Sequence, residues 1–431
     1  MSSFASHKKY PVQRLFMIIV LFLGIFMPCL IRVRMQYVVM LIELAAIAFK
    51  SIIDKKITIN KNTIKVFGAF VPFLVYYTIS IVLNAATSPI SKAAYLGEYT
   101  QILSVYMYAF ISVIFIQKWL ATTHEGFDGF SYVLIAVSSL QLICVILAFI
   151  FPQVKAYFNE LTIRNSLSEV IVNVTDNEWR MSYRAFGFAE NLYDRFGYAI
   201  SIIISLSFLK GISSNNKGVT VLSLAMLVMP LLNARTGLLL SGIGIIIIML
   251  NYFKPRKVVS YAAIVLAIIV SFMLIFNHLP PRLQIALTNG VDATRGLING
   301  SEKTDVYAEI LDNDIVIPQS IMFGEGLSPE KRMGYSGIDS GYIQCLWRYG
   351  VIGTILLLGG YVYSFVLALK YRRTKEHTVL VIVILTIFFI YLFKLFSLVN
   401  YGNIFLIFTI LGALISNKND DREEALKKSD N

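Results

Sequence analysis

The chain has 431 residues, 57% of them hydrophobic and only 15% charged, with 30 phenylalanines and 24 tyrosines. A water-soluble domain of this length carries roughly a quarter charged residues, so the composition excludes an ordinary globular enzyme and implies that lipid bathes much of the surface. The net charge of +12 is concentrated in short segments between apolar runs, which makes it a topology signal rather than the footprint of a nucleic-acid binder.

Runs of about 17 to 25 apolar residues are long enough to cross a bilayer as helices. They predict an all-α polytopic membrane protein with about twelve spans, at 15–31, 35–49, 66–83, 99–117, 131–151, 193–209, 219–233, 236–252, 258–276, 349–369, 378–396 and 402–416. The first run is followed by no small-residue cleavage site, so it is read as a span and not as a removable signal peptide. A segment at 1–14 precedes the transmembrane domain, 15–416, and a tail follows at 417–431.

Lysine and arginine in short loops orient the set. Lys8, Lys9 and Arg14 precede the first span, and Lys50, Lys55, Lys56, Lys61 and Lys65 fill the loop after the second. Lys254, Arg256 and Lys257 follow the eighth span, and Lys370, Arg372, Arg373 and Lys375 follow the tenth. Alternating spans put all of these on one side, with both termini cytoplasmic; Arg32 and Arg34 are the exceptions. Two long segments then face outward, 152–191 and 277–340. The second lies between spans nine and ten. It is polar and partly helical around 301–312, with Pro280-Pro281 and several glycines punctuating the rest. The two halves show no internal repeat.

Ionisable groups inside spans or at their lips are expensive and therefore candidates for function. Arg235 lies in the tight turn Asn233-Ala234-Arg235-Thr236-Gly237, either as a snorkelling interface arginine or as an anion ligand at the lip of a cavity. Tyr183-Arg184-Ala185-Phe186-Gly187-Phe188-Ala189-Glu190-Asn191 leads into span six, where Glu190 and Asp194 share a face if the helix has begun. Glu43 in span two and Lys394 near the outer end of span eleven need protein or water around them. Arg348 and Trp347 enter span ten. Cys29, Cys144 and Cys345 lie far apart in apolar runs and support neither a metal site nor a disulfide. The chain has no phosphate-binding glycine loop, zinc-protease helix, nucleophile elbow or dinucleotide fingerprint. The remaining chemistry rests on arginines and carboxylates of the outer face, and arginine forks suit a phosphate or diphosphate.

Four stretches resemble motifs of the O-antigen polymerase (Wzy-type) and O-antigen ligase superfamily of membrane glycosyltransferases. Arg184-Ala-Phe-Gly187 through Asn191 is similar to an arginine–glycine–asparagine entry into a span, with Glu190 where a proline is usual. Ala234-Arg235-Thr236-Gly237 resembles a serine–arginine turn. Thr294-Arg295-Gly296 followed by Phe323-Gly324-Glu325-Gly326-Leu327 resembles an arginine and a Gly-x-Gly in the large outer loop. Asp339-Ser-Gly-Tyr342 through Arg348-Tyr-Gly350-Val-Ile-Gly353 resembles the motif that opens the span after it. The resemblance covers roughly residues 150–370. Ligases of the family carry a histidine where Asp339 aligns, which favours a polymerase.

The resemblance implies a polysaccharide polymerase for O-antigen, capsule or exopolysaccharide in the bacterial cytoplasmic (inner) membrane. It would transfer a polyprenyl-diphosphate-linked glycan onto a second lipid-linked repeat unit, with its active site facing outward. An O-antigen ligase and a lipid-linked oligosaccharide flippase or transporter are the alternatives. Arg184, Arg235 and Arg295 would stabilise the leaving diphosphate, and Asp339 would accept the acceptor hydroxyl's proton, hydrogen-bond the sugar or cap span ten. Catalysis is thus expected from Asp339, Arg295 and Arg235. Substrate binding is expected from Arg184, Glu190, Tyr342 and Arg348. No metal or other cofactor is required, and a chain-length regulator protein joins the lipid-linked oligosaccharides and membrane lipid as an expected partner.

Overall fold

A computed structural model describes residues 11–30, 33–56, 59–123, 126–162, 185–189, 193–253, 317–333, 340–394, 398 and 400–429. The architecture is a bundle of α-helices. Its shortest regular piece is a two-residue antiparallel pairing of β1 (Cys29–Leu30) with β2 (Val33–Arg34). The helices are α1 (Pro11–Phe26), α2 (Met35–Ile53), α3 (Lys61–Gly68), α4 (Val71–Thr87), α5 (Lys92–Thr123), α6 (Gly126–Ile150) and α7 (Pro152–Thr162). There follow α8 (Tyr193–Ser213), α9 (Lys217–Ala225), α10 (Val228–Asn233) and α11 (Arg235–Tyr252). The last four are α12 (Pro329–Met333), α13 (Gly341–Lys370), α14 (Lys375–Lys394) and α15 (Tyr401–Ser429).

Among the described residues, seven helices are long and apolar enough to cross a membrane, and four shorter apolar helices lie at Pro11–Phe26, Lys217–Asn233, Thr236–Tyr252 and Tyr401–Ser416. These coincide with eleven of the expected spans. The ninth expected span, 258–276, and the amphipathic stretch at 301–312 lie outside the described residues. Among the described residues three spans are interrupted helices, one of them the seventh, where α9 gives way to α10 at Met226-Leu227. The third span is interrupted where α3 gives way to α4 at Ala69-Phe70, with Pro72 near the start of α4. The tenth starts at Gly341, not at 349, and is interrupted at Gly350.

Helix α8 is the axis of the bundle, buried along almost its whole length. It packs most extensively on α11, and α5 packs most extensively on α15. Lipid supplies no hydrophobic drive between helices, so close contact of small residues does that work. Gly197, Ser201 and Ser205 recur every four residues along α8 and so share one face. A Cβ on Gly237 of α11 would overlap Gly197 Cα, and one on Gly244 would overlap Ser205 Oγ. The hydroxyls of Ser201, Ser205 and Ser241 close back on carbonyls of their own helices at 2.7–2.8 Å, so none of these three is left bare.

The helix ends gather into two layers. At the lower end the Lys210 ammonium meets Asp128 and, at 3.4 Å, Glu376, while Lys375 donates to the Asn251 carbonyl. At the upper end lie the start of α8, the α10–α11 turn, the 317–333 segment and the start of α13. Outward faces carry exposed Leu41, Val75, Ile79, Leu239, Ile246 and Phe393, which suits contact with acyl chains.

Candidate functional site

The site is built at the upper end, and its first element is the break in α13. Gly350 adopts φ 65° and ψ −174°, a region essentially closed to residues with a side chain. A helix interrupted this way exposes carbonyls on one side of the break and N–H groups on the other. The 317–333 segment satisfies them. Val351 N donates to Ile321 O at 2.9 Å and Ile352 N to Met322 O at 3.2 Å. Glu325 N donates to Trp347 O at 2.6 Å, and Tyr76 OH reaches both Tyr349 O and Phe323 O at 3.0 Å. Gly324, at φ 74°, lies against the break so tightly that a Cβ would overlap Gly350 N. The stretches Phe323–Leu327 and Trp347–Gly353, quoted separately from the sequence, are therefore one interlocked unit.

Charge surrounds this unit. Glu98 of α5 is 2% exposed, with Lys331 Nζ 3.0 Å from one oxygen and Arg348 Nε 3.6 Å from the other. Glu325 lies 3.6 Å from Arg332 Nε and accepts from Ser320 N, while Arg332 Nη1 donates to Ser88 at 3.1 Å. Three cations thus face two carboxylates. Arg348 is buried beneath the loop, so its guanidinium holds Glu98 and does not face open solvent.

A second unit joins the entry to α8 with the α10–α11 turn. Asn233 accepts from Ala185 N at 2.8 Å and donates to Ala185 O at 2.7 Å and to Met229 O at 2.9 Å. Gly187, at φ 65°, presses on α6, and Gln141 donates to Phe186 O. Arg235 opens α11; its side chain lies outside what the structure describes, as do Arg184, Glu190, Arg295 and Asp339. The neighbouring Thr236 accepts from Lys394 at 3.0 Å, and Lys394 also meets Asp194 at 3.2 Å. The partner of Lys394 was not assignable from sequence; it is the α8–α11 corner itself.

Helix α14 links the two units. Its last turn carries Lys394 to the α8–α11 corner. Just before that, Phe389 O accepts from Tyr342 OH at 3.1 Å and the Phe393 ring meets Tyr342 edge-on at 5.0 Å. Tyr342 is thus fixed to α14 at the mouth of α13. Glu98, Lys331, Arg332 and Lys394 complete the described charges here. Glu98 stands one residue before the apolar run at 99–117, and a carboxylate at the lip of a span is itself a signal of function. The buried Glu43 finds Ser112 at 2.7 Å, elsewhere in the bundle.

Asn233→Ala removes both bonds to Ala185 and leaves a buried N–H and C=O without their side-chain partner. Such losses cost about 1–3 kcal/mol each. Amide exchange at Ala185 and Phe186 is expected to accelerate by roughly an order of magnitude or more in deuterium-exchange mass spectrometry, with the α13 break unaffected.

Apolar helices of spanning length, gathered about a serine- and glycine-lined seam with apolar faces outward, define a polytopic helical membrane protein. A scan against protein-family models matches no family, and no curated protein matches the chain.

Proposed function

We propose that the chain is a polysaccharide polymerase, transferring a polyprenyl-diphosphate-linked glycan onto a lipid-linked repeat unit. The observation that supports this best is convergence. Stretches that resemble polymerase motifs pair up at one end of the bundle, 185–189 with 233–237 and 323–327 with 341–353. Between them runs the end of α14, with Lys394 and the partners of Tyr342. The lower end carries Lys50, Lys55, Lys56, Lys61, Lys65, Lys370, Arg372 and Arg373, which favours a cytoplasmic lower end and an outward-facing site.

The chemistry follows from that placement. Breaking a glycosidic bond to a lipid diphosphate develops negative charge on the leaving oxygen. Cations held in advance at that point stabilise the transition state more than the ground state. In this proposal Arg184, Arg235 and Arg295 supply that charge. Lys394, anchored by Asp194 and Thr236, adds a fourth. Asp339 takes the proton of the attacking hydroxyl. The bacterial inner membrane is the setting that such a substrate requires.

The test is chain extension by purified protein supplied with polyprenyl-diphosphate-linked oligosaccharide. Arg235→Ala and Lys394→Ala are expected to slow the lipid-linked ladder by about 10²–10³-fold and by roughly tenfold, the smaller figure because Lys394 is already paired. Unchanged ladders in both variants overturn the diphosphate role. A discontinuous span such as α13 is also a device of transporters. Translocation of the oligosaccharide without bond formation decides for that second reading, and transfer of glycan to a lipid A core decides for a ligase.

A further inference from the structure

We infer that a groove between the α3–α4 break and the lower half of α13 is a binding site for an anionic phospholipid. It lies away from the charged upper end and does not depend on the polymerase proposal. The groove has a volume of about 500 Å³ and is walled by Lys65, Gly68 and Ala69 on one side and Ile355, Gly359 and Tyr363 on the other. Gly360, also in the wall, packs so closely on the buried Phe70 that a Cβ there would meet its ring at 2.7 Å, and that ring lies edge-on to Tyr361 at 5.1 Å.

Two features give the groove its depth. The regular helix is interrupted at Ala69-Phe70, between the end of α3 and the start of α4. The wall glycines add no bulk: a Cβ built on Gly68 or on Gly359 meets nothing within 4 Å. From Ile355 to Tyr363 the helix advances about 12 Å at 1.5 Å per residue, close to the roughly 15 Å of one leaflet's hydrocarbon. An acyl chain fits that length, with exposed Ile355 at the inner end.

The rim decides the headgroup. Lys65 lines the groove and is exposed, Lys61 lies one turn beyond it, and among the described residues no acidic side chain lines the cavity. The C-terminus of α13 brings Lys370, Arg372 and Arg373 to the same end of the bundle. A basic pocket between helices at a membrane surface selects a lipid phosphate that carries net charge. The Tyr363 ring, 44% exposed, sits where interfacial aromatics anchor. A phosphatidylglycerol-type lipid satisfies both the chain and the charge; a zwitterionic lipid satisfies only the chain.

Native mass spectrometry of the purified full chain tests this, titrating dioleoyl phosphatidylglycerol, dioleoyl phosphatidylcholine and polyprenyl phosphate separately. The wild type is expected to bind phosphatidylglycerol more tightly than phosphatidylcholine. Lys65→Gln is expected to weaken phosphatidylglycerol about fivefold, the weight of one lysine at an anionic headgroup, and to leave phosphatidylcholine unchanged. Gly359→Leu fills the groove and is expected to lower both phospholipids. Gly242→Leu, on α11 where a Cβ also meets nothing, is expected to lower neither. Equal wild-type affinities for the two phospholipids, or full binding by Gly359→Leu, overturns the site. Loss of polyprenyl phosphate alone in Gly359→Leu reassigns the groove to an isoprenoid and overturns the proposal equally. If Gly359→Leu fails to fold, the headgroup selectivity of Lys65→Gln decides by itself.

Discussion

Gly350→Ala is expected to separate the 317–333 loop from α13 and to lower stability by at least about 3 kcal/mol. Two penalties act together. The backbone at φ 65° and ψ −174° lies where a residue with a Cβ pays about 1–3 kcal/mol. The new methyl would also overlap Met322 C and O and Gly324 N, and backbone atoms cannot step aside as a flexible side chain can. Either the break straightens or the loop lifts. In both cases Val351 and Ile352 lose their carbonyl partners, and Trp347 O loses Glu325 N. Deuterium exchange at Val351, Ile352 and Glu325 is expected to rise together, with a lower thermal midpoint in detergent. Gly324→Ala meets the same contact from the other side, at φ 74°, so the double variant should cost well under the sum of the two. Gly359→Ala, in regular helix with open space at its Cβ, is the control and should be neutral or gain a few tenths of a kcal/mol. Equal losses at 350 and 359 would show that the interlock contributes nothing.

That break also marks where the sequence stops being legible. An apolar run announces a helix in lipid because the solvent requires it, and eleven of the expected spans appear as apolar helices. Residues 341–348 fell outside the run expected for span ten, since Gln344 and Arg348 interrupt it. The helix persists there because protein, not lipid, covers it: Trp347 and Arg348 are buried under the loop and against Glu98. Hydropathy reads the solvent and has no signal for a half-helix enclosed by its own chain. The interruption at Ala69-Phe70 was equally silent. Pro72 stands at the start of α4, where a proline is tolerated and need not mark a break.

The pairing of motifs was legible only as order along the chain. Glycines at 187, 324 and 350 hinted at special backbone, and all three have positive φ. Which stretch meets which is a tertiary fact. Asn233 looked like an ordinary turn residue before Arg235, yet it is the clasp that holds the 185–189 segment. Glu98 and Arg348 are far apart in sequence, so no spacing rule links them. A buried carboxylate and a buried guanidinium each point to a missing partner, and only the fold shows that they answer one another.

Glu98→Ala follows from that pairing and is the second large effect expected. Removing Glu98 takes a buried counterion away from Arg348, and breaking a buried ion pair typically costs about 3–5 kcal/mol. The 3.6 Å separation from Arg348 argues for the lower end of that range. The same carboxylate also holds Lys331, but that side chain is 45% exposed, and a half-exposed pair contributes only about 0–1 kcal/mol. The prediction is therefore asymmetric. Glu98→Ala should lower the thermal midpoint by several degrees and loosen the 317–333 loop in deuterium exchange. Lys331→Ala should do neither measurably. Glu98→Gln keeps the shape and hydrogen-bonding capacity and should fall between them. Replacing the buried pair together, as Glu98→Gln with Arg348→Met, should recover part of the loss, because a buried charge that has lost a counterion costs more than the absence of the pair. If Lys331→Ala proves as damaging as Glu98→Ala, the anchor of the loop lies at its exposed edge and the buried guanidinium is not what Glu98 is there to hold.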